Sequence, residues 1–214
     1  MSEDKQWTGD HLWTGNLDAN VFANLSKTQV LDVYEWEEWR QQRAELMTLV
    51  PGSPCSPTDR LTHAVELPDE WWTQLRRTIH VVAATPTDRV NADQALVTGR
   101  IQQYFGNSVN PVVRQWETVH GDLHWANLTG PDFGLLDWKS WGRGPAGTDA
   151  ATLFCYSLLV PEAADRVRNT FARVLDTDAG HLALLYVTAR LLHRIDGGGH
   201  PDLAAPLRKL VETF

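Results

Sequence analysis

The chain has 214 residues, 43% of them hydrophobic and 21% charged, which is the composition of a globular protein and excludes a disordered or fibrous one. A formal net charge of −8 argues against nucleic acid or an anionic membrane surface as partner, because both need clustered Lys and Arg to displace counterions. Cys55 and Cys155 stand alone without ligand spacing, Met1 to Gln6 has acidic residues and no apolar run after it, and the longest near-apolar run, Ala150 to Val160, is too short to span a bilayer. No disulfide framework, zinc site, signal peptide or membrane span is expected, and a cytoplasmic location fits best.

Residues 1–18 show no clean period and read as irregular lead-in. Val21 to Leu25 and Gln29 to Tyr34 flank a polar Ser26-Lys27 step, which predicts a β-hairpin. From Glu35 to Val50 the positions Trp36, Trp39, Leu46 and Leu49 predict a helix, ended by Pro51-Gly52-Ser53-Pro54. A loop then leads to a helix from Pro68 to about Ala84, with Trp72, Leu75, Ile79 and Val82 on one face. Thr85-Pro86-Thr87-Asp88 has helix-opening chemistry for a helix lasting to Phe105.

Arg114 to Val119 and Phe133 to Leu136 read as short strands, and Gly142 to Gly147 as a turn-rich loop. Thr148 or Asp149 caps a helix over Ala150 to Val160. Further helices run from Pro161 to about Leu175, to Ile195 after the Asp176-Thr177-Asp178 cap, and from Pro201 to Phe214. His181, His193 and His200 lack matched ligand spacing and read as surface or core residues. Gly9 to Leu17 echoes Gly121 to Leu128, but the likeness does not extend over a supersecondary unit and is taken as coincidence.

Between the predicted strands, Asp122, Asn127 and Asp137 offer two carboxylates and an amide carbonyl, hard oxygen donors suited to Mg²⁺. Five positions separate the first pair and ten the second, so a tight loop and a short strand can bring all three to one point. Phosphoryl transfer needs such a set: a carboxylate to take the proton of an attacking hydroxyl, and oxygen ligands for the metal that bridges the phosphates.

His120-Gly121-Asp122-Leu123-His124-Trp125-Ala126-Asn127, with Leu135-Leu136-Asp137-Trp138, resembles the catalytic segment of the aminoglycoside phosphotransferase and choline kinase-like family. The resemblance covers roughly Trp116 to Val160. It implies an α+β, protein-kinase-like fold: a small β remnant of an N-terminal lobe with a linker helix over residues 1–50, and a mainly helical C-terminal catalytic lobe over 51–214. It further implies Asp122 as catalytic base, Asn127 and Asp137 as Mg²⁺ ligands, His120 as a brace for the loop, and Asp149 as a buried acid bonded back to that loop. ATP or GTP would be the phosphate donor, and a small molecule bearing a hydroxyl, such as an aminoglycoside, the acceptor.

Three nearby residues are candidates for nucleotide contact, each with a second reading. His124 either touches phosphate or substrate or packs under the loop; Arg143 either reaches a phosphate or faces solvent. Lys139 stands where the family often has an acid, so it either costs the metal a carboxylate or supplies a cation. Trp125, Trp138 and Trp141 crowd the same stretch of a chain with ten tryptophans. Packing is the reading for most of them, with Trp141 open between packing and cation–π binding.

The chain departs from the family upstream. No Gly-rich loop, strand lysine or partner glutamate is recognisable, since Lys5 and Lys27 are the only early lysines and Lys27 falls in the predicted turn. A competing reading is therefore an inactive, pseudokinase-like binding module; another has the reduced lobe completed by a partner chain or oligomer, or by sequence upstream of Met1.

Overall fold

The computed structural model describes residues 5–212, with side chains from Leu12 onward. Its first element is a helix, α1 (Lys5–Asp18), where an irregular lead-in was expected. The segment has no apolar stripe of its own, and tertiary contacts hold it in place. Trp13 and Asn16 are buried, Asn16 Oδ1 accepts from Trp138 N at 3.0 Å, and Trp141 Nε1 donates to Gly15 O at 2.9 Å. The echo of the Asp122 segment lies on this helix and so shares no backbone form with the loop it resembles.

Val21 to Leu25, expected as the first hairpin strand, is instead the end of a 3-10 turn, Ala19–Phe22, and the bend after it. It delivers Phe22 between Trp138 and Trp141, with ring centroids at 4.9 and 5.0 Å. The hairpin is displaced along the chain: β1 (Val30–Glu37) pairs antiparallel with β2 (Gln41–Met47), where a helix over 35–50 was expected. Its turn, Glu38-Trp39-Arg40, contains no Gly, Pro, Asn or Asp, so it carries none of the usual punctuation of a hairpin. Arg43 and Glu45 face α1, while Tyr34, Trp36 and Leu46 lie exposed.

The next elements are β3 (Ser53–Pro54) and α2 (Asp69–Ala84), whose buried face includes the expected Trp72, Leu75, Ile79 and Val82. Thr85 ends α2 rather than opening the following helix; α3 (Gln94–Phe105) is capped by Asp93, which accepts from Leu96 N at 2.8 Å. Residues 86–93 are withheld from the helix because their backbone is used elsewhere: Asn91 and Ala92 donate to Arg143 O, and Arg143 donates to Arg89 O.

β4 (Trp116–Val119) and β7 (Gly142–Pro145) form an antiparallel pair, and β5 (Leu128–Gly130) lies between β3 and β6 (Gly134–Leu135). The stretch expected as a Gly-rich loop is thus a strand. Its glycines answer to crowding, since a Cβ on Gly142 would come within 2.8 Å of Asn91 N.

The helices that follow are α4 (Thr148–Ser157), buried at every position, α5 (Pro161–Thr170), α6 (Ala172–Leu175), α7 (Asp178–Asp196) and α8 (Ala204–Val211). One predicted helix, to Leu175, is broken at Phe171. The last is shorter than expected, preceded by a 3-10 turn at Pro201–Leu203, and Phe214 lies outside the described residues.

Indoles hold the centre. Trp71 stacks on Trp125 at 6.3 Å and 7°, with Phe133 edge-on to Trp71. Three fully buried indoles have partners for their N–H groups: Trp71 donates to Thr129 O, Trp125 to Ser157 Oγ and Trp138 to Leu135 O, which removes the cost of burying these polar atoms. The result is α+β and mainly helical, with three small antiparallel sheets among the described residues, and no described helix is long and apolar enough to cross a membrane.

Candidate functional site

The site begins where the β4–β7 ladder stops, at the pair Val119–Gly142. The chain turns sharply there because Gly121 adopts φ +82°, a conformation open to glycine at little cost. Asp149, in the first turn of α4, fastens that turn: its Oδ2 accepts from His120 N at 2.7 Å and its Oδ1 from Gly121 N at 2.9 Å. Asp149 was expected as a helix cap or a buried acid bonded to the loop, and it is the latter; the cap position belongs to Gly147. Burial pushes its carboxyl up to about 7 despite the two amides.

His120 is fully buried and packs edge-on against Trp138 at 4.9 Å, with Nε2 3.0 Å from Leu136 O. Burial holds its imidazole down at about 4, so at neutral pH it is an uncharged brace between the Asp122 turn and the strand leading to Asp137.

Asp122 follows, with its side chain 37% exposed and Oδ2 3.3 Å from His124 Nε2. Burial raises its pKa, but the hydrogen bond and charge of His124 outweigh this and hold the carboxyl below its ordinary value. It is ionised at neutral pH and open to solvent, as a proton acceptor must be.

Asn127 ties the cluster together. Its Nδ2 donates to Asp122 O at 3.0 Å and lies 3.2 Å from His124 Nε2. Its own backbone carbonyl accepts from Leu136 N at 2.8 Å, which seats Asn127 beside the residue that precedes Asp137. Asp137 takes a left-handed backbone, φ 55° and ψ 73°, a conformation uncommon outside glycine, and its carboxylate stands 3.8 Å from Lys139 Nζ.

These residues fit a magnesium ion in one specific sense. The Asn127 amide nitrogen donates to the backbone carbonyl of Asp122, so the side-chain atom left to coordinate is Oδ1, a neutral oxygen that would act with the carboxylate of Asp137. Mg²⁺ takes one or two such protein ligands and fills its remaining positions with water and phosphate oxygen. No group of three or more His, Cys, Asp and Glu residues able to hold a metal occurs among the described residues.

His124 joins the cluster: it is 7% exposed, so it packs as one of its two readings expected, and its Nε2 lies 3.3 Å from Asp122 Oδ2. Lys139 joins through Asp137. Arg143 does not: its exposed guanidinium lies over the Trp116 ring, 5.4 Å from the centroid, at the end of the ladder remote from His120. Trp141 is 5% exposed with its N–H donated to Gly15 O, so packing is its role, and the cation over its face is the protein's own Arg89 at 5.0 Å.

A layer of polar residues around the cluster was not legible in the sequence. Asp59 accepts from Arg194 Nη1 at 2.7 Å, lies 3.2 Å from His200 Nε2 and 3.8 Å from His124 Nε2, and its carbonyl accepts from Trp125 N at 3.1 Å. Arg190, on α7, donates to Gly121 O at 3.3 Å. Arg89 donates to Lys139 O and Trp141 O, each at 3.1 Å, and pairs with Asp18 of α1. None of these has a motif of its own, and their only signal is charge in otherwise unpatterned loops and helices.

No protein-family model matches the sequence, and no curated protein matches it. Solved structures do. An aminoglycoside phosphotransferase from Streptomyces rimosus, in complex with ADP and streptomycin, is 15% identical over 86% of this chain and 84% of that one, with a TM-score of 0.56. The chain has the fold of the aminoglycoside phosphotransferases. An amicoumacin kinase in complex with AMP-PNP and Ca²⁺ matches with a TM-score of 0.56 at 13% identity, over 97% of this chain and 78% of that one. An aminoglycoside-3'-phosphotransferase of type VIII matches at 0.53 and 15% identity, over 82% and 77%. In this fold the segment from His120 to Asp149 is joined by the hydrogen bonds described above, and helix α1 packs beside it through Trp138 and Trp141.

Proposed function

We propose that this protein is a phosphotransferase that moves the γ-phosphate of ATP or GTP, with Mg²⁺, onto a hydroxyl of a small molecule. The observation that carries this reading is the bond from Asn127 Nδ2 to the backbone carbonyl of Asp122, which, with the bond from Leu136 N to the Asn127 carbonyl, ties the backbone of Asp122 to Asn127 and to the residue preceding Asp137. Asp122 takes the acceptor hydroxyl's proton while His124 restrains its carboxylate. Asn127 and Asp137 are the metal ligands, and His120 and Asp149 keep the loop in shape. When bound, Mg²⁺ and the nucleotide supply charge neutralisation and the transferred group; the chain's own residues contribute positioning, the larger part of catalysis in such reactions.

Support for an amino-bearing acceptor comes from the relatives in complex with streptomycin, from the kinase for amicoumacin, and from the net charge of −8. Residues 1–50 act as a reduced N-terminal lobe on a catalytic lobe of 51–214, in keeping with a hairpin whose strands pair with each other alone among the described strands. Exposed Tyr34, Trp39, Leu46 and Leu49 on and beside that hairpin support a partner chain or second copy covering it. A cytoplasmic location fits the use of ATP.

The test is calorimetric titration of the purified chain with ATP and GTP, with and without Mg²⁺. Mg²⁺-dependent binding of roughly micromolar to millimolar strength, lost in Asp137→Asn, is the expected result, followed by transfer to an aminoglycoside-type acceptor. Absence of nucleotide binding would replace this reading with the inactive, pseudokinase-like module.

A further inference from the structure

Asp122 is restrained by His124, and His124 has polar neighbours on one ring nitrogen only. Its Nε2 is 3.3 Å from Asp122 Oδ2 and 3.2 Å from Asn127 Nδ2, while Nδ1 is buried without a hydrogen-bond partner. Nε2 can therefore donate to Asp122 or accept from Asn127, and not both. A proton on Nε2 ties down the Asp122 carboxylate, and its absence from that nitrogen releases the carboxylate.

Asp59, in the loop between β3 and α2, bears on this choice from far along the chain. Its Oδ2 takes three donors: Arg194 Nη1 at 2.7 Å, His200 Nε2 at 3.2 Å and Tyr156 Oη at 3.4 Å. His200 is a donor there because its Nδ1 is 2.7 Å from Arg60 Nη1, and arginine can only donate. His200 itself stands at φ 46°, a backbone state that a residue other than glycine keeps when its surroundings fix it. With Oδ2 so occupied, Oδ1 is the oxygen turned to His124 Nε2, at 3.8 Å. The backbone adds a second tie, since Asp59 O accepts from the N–H of Trp125, the residue after His124, at 3.1 Å. The Asp59 side chain is 19% exposed and that of His124 9%, so the attraction between them is only weakly screened.

We propose that Asp59 is a positioning residue: its charge keeps a proton on His124 Nε2, and so keeps the Asp122 carboxylate fixed for the acceptor hydroxyl. It acts through His124, and Arg194, His200 and Tyr156 hold it in place to do so. The effect on His124 stands on its own; the effect on the acceptor rests on the phosphotransferase reading.

The test uses the whole chain at neutral pH and reads the ring ¹⁵N resonances of His124, assigned by their loss in His124→Gln. The natural protein is expected to show Nε2 protonated. Asp59→Asn should move the proton towards Nδ1 with the His120 ring unchanged, and Asp59→Glu should restore part of the natural state. A role confined to stability would lower the thermal midpoint and leave the ring proton where it was. If Asp59→Asn does not fold, His200→Leu, which removes one of the three donors that seat Asp59, should cause a smaller move of the same sign. A ring that lacks a proton on Nε2 in the natural protein, or keeps it there in the variants, overturns the proposal.

In phosphate transfer, Asp59→Asn should lower kcat roughly tenfold with the acceptor KM within about twofold. Added to His124→Gln it should cost nothing further, because the two residues act as one unit. A raised acceptor KM with kcat kept makes Asp59 an acceptor contact and overturns the positioning role. Absence of transfer in the natural protein as well overturns the phosphotransferase reading, and the ring resonances then decide the role of Asp59 by themselves.

Discussion

Asp149 accepts the backbone N–H of His120 at 2.7 Å, and these two buried residues respond to pH with opposite signs. Burial lowers His120 from 6.5 to about 4. Between those values the unfolded chain binds a proton that the native one does not, so stability falls as pH drops through this window, by at most about 3 kcal/mol. Burial raises Asp149 from 3.8 to about 7. There the native chain holds the extra proton, and stability rises as pH drops from 7 towards 3.8, by at most about 4 kcal/mol. The two contributions offset each other in the natural protein. Urea denaturation at pH 7.5 and 5 should show His120→Asn gaining stability on acidification and Asp149→Asn losing it; slopes of the same sign in both variants would contradict this account.

Asp122→Asn preserves shape and removes the proton acceptor. Phosphate transfer should fall by roughly a hundredfold or more, with Mg²⁺·nucleotide affinity and the thermal midpoint little changed. A variant with natural turnover takes Asp122 out of the mechanism.

Asp137→Asn removes the one anionic oxygen of the proposed metal pair. Mg²⁺-dependent nucleotide affinity should fall roughly tenfold or more, while any metal-free binding persists. Titrations across a series of Mg²⁺ concentrations check this, and an unchanged magnesium dependence would show that the ion is held elsewhere.

Gly15→Ala tests whether α1 is seated on the metal loop as tightly as it appears. In an exposed helix this change stabilises by about 1 kcal/mol. Here the new Cβ would fall 2.3 Å from Lys139 O, backbone that cannot swing aside, so destabilisation of about 1–3 kcal/mol is expected instead. Chemical denaturation decides the sign, and a stabilised variant would mean that α1 does not rest on Lys139.

Much of the site was legible before the fold because its parts are close in sequence and chemically distinctive. His120, Asp122, Asn127, Asp137 and Asp149 span 30 positions, and hydrogen bonds bring them together locally. Helix α2 was legible for a similar reason, since its apolar face is long and regular. The choice between the two readings of Arg143 was not legible, because nearness in sequence to Asp137 says nothing about direction: it is exposed, on a strand that pairs it with Thr118, with its guanidinium over Trp116.

By itself, then, the sequence determined the α+β, mainly helical character and pointed to the loop that carries Asp122, Asn127 and Asp137, all properties of local pattern and side-chain chemistry. Tertiary structure alone decided the rest. Helix α1 has no periodic stripe and exists through its contacts with Trp138, Lys139 and Trp141. Strand β2 follows a turn without turn residues and is defined by its partner β1. Asp59 and His200 became notable only when folding removed water from them and left each to find partners distant in the chain, because burial and long-range pairing, unlike propensity, are not written in the spacing of neighbouring residues.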